Sequence, residues 1–328
     1  MKHGGNVWQG ERPSDWLDFS ANLRPEGMPK WVNDALCRAA EEARYYPDPA
    51  MKAARRGLAA YAGVKESMIL PTAGGIEAID LALSVNRGRV LTDAPTFGEY
   101  ARRAEVCGRV CVRADSTQAE AGDTRVICNP NNPTGAALNR EEILAQHKTL
   151  AESGAEVLVD EAFIDYCPEN SVRSCVARGL TVAGSLTKIL CVPGVRLGYI
   201  CADEVTVLRL SERALPWSLN AFAAKIAAEL PEHLGEIRRD ALTNARRMEE
   251  FAKMLRSIGA DVAPSKANFL LCDFGRDMTE AVKYLRSKKI LVRDCASFGL
   301  KNSCLRFAVR TGDENGLLAE ELKKWLKS

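Results

Sequence analysis

Through the first two-thirds of the chain, short and continuously apolar runs alternate with stretches whose apolar residues recur every three or four positions. The runs are Met68-Ile69-Leu70 and residues 89–92, 109–113, 124–128, 156–159, 180–183 and 197–201. Between them, Ile76, Ile79, Ala82 and Leu83 share a helical face, and 98–106 and the segment after Asn139 have the same character. Strands apolar on both faces, separated by helices, predict a mostly parallel sheet covered on each side. Ahead of them, Trp31, Ala35 and Leu36 mark one helix and Ala54, Leu58 and Tyr61 another, with the turn Tyr45-Tyr46-Pro47-Asp48-Pro49 between. Asn139, followed three places on by Glu142, predicts a capped helix start.

Beyond Asp203 the pattern changes. Leu215-Pro-Trp-Ser-Leu-Asn220 interrupts the chain, and one long helix follows, with Leu234, Ile237, Ala241, Ala245, Met248, Ala252 and Leu255 in register. Strands at 269–272, 290–293 and 304–310 come next, with a helix through Leu285 among them and a charged helix at the C-terminus. The expected fold class is α/β: a large domain over 40–215 with a mostly parallel, seven-stranded-type sheet. A smaller α+β domain is expected from 1–39 and 216–328.

Composition narrows the function. The chain has 328 residues and a formal charge of +2 without a basic or acidic block, so neither nucleic acid nor a membrane surface is an expected partner. A small-molecule substrate is. Eleven cysteines without a C-x-x-C, and only three histidines, leave little for zinc and do not suggest a disulfide framework. Reduced thiols and a cytoplasmic location are expected, since the N-terminus lacks a signal-like apolar core and no run reaches membrane-spanning length.

The candidate chemistry centres on Gly184-Ser185-Leu186-Thr187-Lys188, continuing through Pro193-Gly194-Val195-Arg196-Leu197-Gly198. A buried lysine loses its proton easily and can form a Schiff base with an aldehyde cofactor. Ser185, Thr187 and Arg196 can grip a phosphate on that cofactor, the arginine with its fork. Taken alone, the same letters also fit a solvated lysine at a strand end or an unrelated acyl enzyme. Gly74-Gly75, between a strand and a helix, would present free N–H groups to an anion, though a glycine pair also serves a tight turn.

With Asn129-Pro-Asn-Asn-Pro-Thr-Gly135 added, the motifs resemble, in order and from His3 to the C-terminal helix, the fold-type-I pyridoxal-phosphate enzymes of the aspartate aminotransferase superfamily. More narrowly the chain is similar to the histidinol-phosphate aminotransferase group and its relative, the threonine-phosphate decarboxylases. The resemblance implies pyridoxal phosphate as cofactor and Lys188 and Asp160 as catalytic groups, with Asp160 against the pyridine nitrogen. It implies Asn132 on the ring oxygen and Phe97 on the ring face. Gly74, Gly75, Ser185, Thr187 and Arg196 would hold the phosphate, together with Tyr46 from the other subunit of a homodimer. His3, Gly4, Gly5, Asn22, Arg293 and Arg306 would bind a small phosphorylated amino-acid substrate, Arg306 taking its carboxylate.

Within that resemblance, His3-Gly4-Gly5-Asn6, Ser20-Ala-Asn22, Asp160-Glu-Ala-Phe163 and Arg306-Phe-Ala-Val-Arg310 point to the decarboxylase branch. The aminotransferase branch usually shows D-E-A-Y, and Phe163 has no hydroxyl. The implied reaction is decarboxylation of O-phospho-L-threonine to (R)-1-amino-2-propanol phosphate in cobalamin biosynthesis. The alternatives are amino transfer from histidinol phosphate to 2-oxoglutarate, or decarboxylation of phosphoserine. Arg24 and Thr72-Ala73 depart from both branches. Arg24 could place an extra cation on the substrate phosphate. A ligand-sensing module without chemistry is the non-enzymatic alternative, and the retained Lys188 speaks against it.

Overall fold

The computed structural model describes residues 4–8, 12–113 and 119–328. After β1 (Leu17–Asp18) come helices α1 (Lys30–Glu42) and α2 (Lys52–Ala62). An alternating series follows: β2 (Ile69–Thr72), α3 (Gly75–Ser84), β3 (Val90–Thr92), α4 (Glu99–Val106), β4 (Cys111–Arg113), β5 (Thr124–Cys128), α5 (Arg140–Glu152), β6 (Glu156–Asp160), β7 (Leu180–Ser185) and β8 (Gly198–Cys201). The α5 start is capped as its sequence predicts. The Asn139 side chain accepts from the Glu142 N–H at 2.9 Å, and the Glu142 carboxylate accepts from the Asn139 N–H at 2.7 Å. Such a cap contributes about 1 kcal/mol.

These seven strands, β2 to β8, form one sheet in the order β2-β8-β7-β6-β5-β3-β4. All neighbours run parallel except β8, which is antiparallel to both β2 and β7. Each face has its own core. Val157 and Val159 of β6 point into one, with Leu58 and Ile226, while Leu158 points into the other, with Ile79 and Tyr100. Side chains alternating along a strand buried on both sides require the unbroken apolar run seen in the sequence.

The remainder comprises α6 (Glu204–Ser211), α7 (Ala221–Glu229), α8 (Leu234–Ser257), β9 (Asp261–Val262), β10 (Phe269–Asp273), α9 (Thr279–Ser287), β11 (Ile290–Leu291), β12 (Arg293–Asp294), β13 (Cys304–Ala308) and α10 (Gly312–Lys327). β12-β13-β10-β9 make a second, antiparallel sheet with a separate core around Phe251, Leu285 and Phe307. The expected strand 290–293 is in fact two: β11 pairs with β1, and β12 pairs with β13.

The packing also departs from the expected division of the chain. Helix α7 was not expected, and it packs with α1 and α2 into the core of the large sheet. The approach is so close that a Cβ on Gly57 would lie 1.9 Å from the Ala227 carbonyl oxygen. Residues 30–39 and 221–229 thus pack on the large sheet, on the far side of the boundaries drawn at 39 and 216. All eleven cysteines are free thiols. Among the described residues, no helix is long and apolar enough to cross a membrane, and no group of His, Cys, Asp and Glu is placed to hold a metal ion.

Candidate active site

β5, β6 and β7 run in one direction and end side by side at Cys128, Asp160 and Ser185, where open α/β sheets place ligands. A cavity of about 620 Å³ opens there, closed on the opposite side by the second sheet and by the N-terminal segment.

At one end three stretches of backbone converge. Gly74, at φ 85°, caps α3, and the first N–H groups of that helix lack intrahelical acceptors. A Cβ on Gly198 would lie 2.5 Å from the Gly74 carbonyl carbon and 2.8 Å from the Gly184 oxygen; one on Gly75 would lie 3.1 Å from Ser185 Cβ. Ser185 and Thr187 hydroxyls are 2.8 Å apart, and Lys188 Nζ donates to Thr187 Oγ1 at 2.9 Å. Arg196 closes the cradle, its guanidinium packed on Gly74. Hydroxyls, helix N–H groups and one arginine around a glycine-lined hollow form a seat for a phosphate.

Lys188 lies partly buried at the floor of the cavity. Burial, with help from the Arg196 and Arg306 charges and against the Asp160 carboxylate, lowers its amine to about 8. Asp160, at the end of β6, is also buried. Its Oδ2 accepts from Tyr100 Oη at 2.6 Å and its Oδ1 from the Ala162 N–H at 3.0 Å. Burial raises this carboxyl above the usual range, while those two donors and Lys188 pull it back. The next residue, Glu161, points away from the cavity and is held by Ser171 Oγ and the Val172 N–H.

The opposite wall carries two arginines. Arg293 on β12 and Arg306 on β13 are cross-strand partners, both buried and both facing the cavity. Their hydrogen-bond partners are neutral. Arg293 donates to Ser297 Oγ at 2.6 Å and lies over the Phe298 ring. Arg306 donates to Asn132 Oδ1 and, at 2.8 Å, to the Ser20 carbonyl, while its Nε has no partner. Burial lowers both guanidiniums, Arg306 to about 10. Like charges directly opposite each other are destabilising unless something between them is negative.

Phe97, Asn132, Asn22, Gly4, Gly5 and Phe163 line the same cavity, so most of the expected residues are brought together. Phe163 packs edge-on against Phe269. The Gly5 N–H donates to Ser20 Oγ at 2.8 Å, which lays the N-terminal segment over the site. His3 lies outside the described residues. Tyr46 does not line this cavity: it is 82% exposed and leans on Trp217. Arg24 does not supply a cation to the site either, because it is paired with Asp240 on α8. Tyr100, Ser297 and Phe298 were not among the residues expected here, and Ser20 was expected only as part of the Ser20-Ala-Asn22 motif. Tyr100 alone had a usable signal, three places after Phe97 at the start of α4.

The model of the aminotransferase class I and II family matches residues 14–322. This chain belongs to that family. It is 30% identical to the threonine-phosphate decarboxylase of Salmonella typhimurium, over 99% of this chain and 96% of the relative. Among solved structures, a histidinol-phosphate aminotransferase from Clostridium acetobutylicum superposes with a TM-score of 0.88 at 26% identity, covering 95% of this chain and 99% of that one. An L-threonine-O-3-phosphate decarboxylase from Porphyromonas gingivalis gives 0.86 at 26%, covering 95% and 100%. The family is pyridoxal-phosphate dependent, and the residues present fit that group: a glycine-lined anion cradle, a partly buried amine beside it, and a buried carboxylate across the floor.

The depressed lysine has a measurable consequence. The rate at which cofactor-free protein takes up pyridoxal phosphate should rise with pH around a midpoint of about 8, because only the neutral amine is nucleophilic. Asp160→Asn should lower that midpoint, since the carboxylate favours the ammonium, and Arg196→Gln should raise it. Stopped-flow absorbance across pH measures all three. A wild-type midpoint near 10, the range of a solvated lysine, would contradict the burial seen here.

Proposed function

We propose that this protein decarboxylates O-phospho-L-threonine, releasing carbon dioxide and the phosphate ester of 1-amino-2-propanol. The observation that carries this reading is the pair Arg293 and Arg306: two buried cations, side by side on the cavity wall, whose hydrogen bonds go only to neutral groups. They suit one small substrate bearing two anions, a carboxylate for Arg306 and a phosphate for Arg293 beside the Gly4-Gly5 segment.

Pyridoxal phosphate, when bound, supplies an electron sink for a bond broken at the substrate's α-carbon. Ser185, Thr187, Arg196 and the α3 N-terminus anchor its phosphate. Asp160 would face its ring nitrogen and favour the protonated form there. Asn132, whose amide oxygen is already taken by Arg306, has its NH2 left to donate to the ring oxygen. Lys188 would hold the cofactor's aldehyde carbon and, as an ammonium, would supply the proton that replaces the departing carboxylate on the substrate's α-carbon. Arg306 decides which bond is aligned for cleavage by fixing the carboxylate, so this choice is made away from the ring. Phe163 leaves the ring oxygen without a tyrosine hydroxyl. We also infer a homodimer in which Tyr46, exposed in one subunit, completes the cradle of its neighbour.

A second reading, amino transfer from histidinol phosphate, is favoured by the fold match to such an enzyme. Carbon dioxide release from phosphothreonine without any 2-oxo acid is the deciding measurement, with phosphoserine as a parallel substrate. Release from phosphothreonine at a steady rate is expected. No release, together with glutamate formation from histidinol phosphate and 2-oxoglutarate, would replace the decarboxylase by the aminotransferase.

A further inference from the structure

We propose that Tyr100 is a positioning residue that holds Asp160 in place for the cofactor's ring nitrogen and ties that carboxylate to the Phe97 wall of the same slot. The inference rests on the reading that Asp160 meets the ring nitrogen.

The geometry is specific. Tyr100 is 1% exposed and Asp160 5% exposed, so neither group exchanges its partner for water. The phenol donates to Asp160 Oδ2 at 2.6 Å, a short charge-assisted bond, while Oδ1 is held by the Ala162 N–H. The carboxylate is therefore fixed at both oxygens, one by a side chain from α4 and one by its own turn. Burial and the neighbouring carboxylate keep the phenol protonated, far above the usual tyrosine range, so it acts only as a donor.

Tyr100 has a second contact. The Phe97 ring meets it edge to face, with centroids 5.6 Å apart. Phe97 and Asp160 are both on the cavity surface, and Tyr100, which is not, stands behind them and touches both. One buried side chain thus sets the separation between the wall expected to stack on the ring and the carboxylate expected at its nitrogen. A donor on Asp160 favours its ionised form, the form that keeps a pyridine nitrogen protonated.

The test compares affinities for two cofactors. Tyr100→Phe removes one oxygen and keeps the ring against Phe97. Its affinity for pyridoxal phosphate, by equilibrium dialysis, should fall about tenfold. Its affinity for the analogue with carbon in place of the ring nitrogen should change less than twofold. With pyridoxal phosphate, kcat should fall about tenfold with KM within twofold. A role confined to packing would weaken both cofactors alike, and that result overturns the proposal, as does an unchanged affinity for both. Asp160→Asn is the control: if it fails to discriminate between the cofactors, the placement of Asp160 itself is wrong. With Asp160→Asn in the background, adding Tyr100→Phe should have less than a twofold further effect. Independent, multiplying effects in that double variant would also overturn the coupling.

Discussion

Lys188→Ala protein will fold, retain pyridoxal phosphate through the cradle alone, and turn over substrate roughly 10,000-fold more slowly, the upper range for loss of a positioned proton-transfer group. Retention is expected because Ser185, Thr187, Arg196 and the α3 N-terminus do not depend on the lysine. The same variant tests the shared site. In a mixed dimer of Lys188→Ala and Tyr46→Phe subunits, one of the two sites combines wild-type Lys188 with wild-type Tyr46. Mixing the two defective proteins should therefore restore activity well above their sum. Strict additivity, or an active species sedimenting as a monomer, would remove Tyr46 from the site.

Arg306→Lys should lower kcat/KM for phosphothreonine about a hundredfold. Lysine keeps the charge but gives up the fork, and losing such a contact to a buried anion costs about 3 kcal/mol, equivalent to roughly two powers of ten in rate. The product amine has no carboxylate, so its inhibition constant should move less than threefold in the same variant. Equal losses for substrate and product would mean that Arg306 serves the phosphate, or the architecture around Asn132 and Ser20, instead of the carboxylate.

The chemistry was more legible in the sequence than the packing. Lys188, Asp160, Ser185 and Thr187 sit at or just beyond strand ends, where an apolar run gives way to polar letters, and such a boundary is local. The alternating strands of the large sheet were legible for the same reason. Helix α7 was not: Ala221-Phe-Ala-Ala-Lys-Ile-Ala-Ala-Glu229 is small and apolar almost all round, so it shows no clear stripe. Its place against α1 and α2 is a long-range fact. Arg24 failed for the same physical reason, since its partner Asp240 lies 216 positions away. The split of residues 290–293 into β11 and β12 depends on which neighbours are present, and no periodicity within four residues encodes that. Tyr100 lay in plain view beside Phe97, but only the folded chain brings it to Asp160.

The reversal of β8 has an evolutionary consequence. Because that strand runs against β7, Gly198 faces Ser185 on one side and Thr72 on the other, and the connection from Lys188 to Arg196 only has to double back. A parallel strand of four residues would have begun about 13 Å away, at the far edge of the sheet. The proposed phosphate seat is thereby made of chain path and glycines, while the two arginines proposed to bind substrate lie on β12 and β13 of another sheet. On that proposal, replacing letters in the second sheet would change the substrate without touching the seat. Inserting even one or two letters into the short return at Cys191–Gly194 would move Arg196 off Gly74 and would also disturb Val192, which is buried in the core of the large sheet.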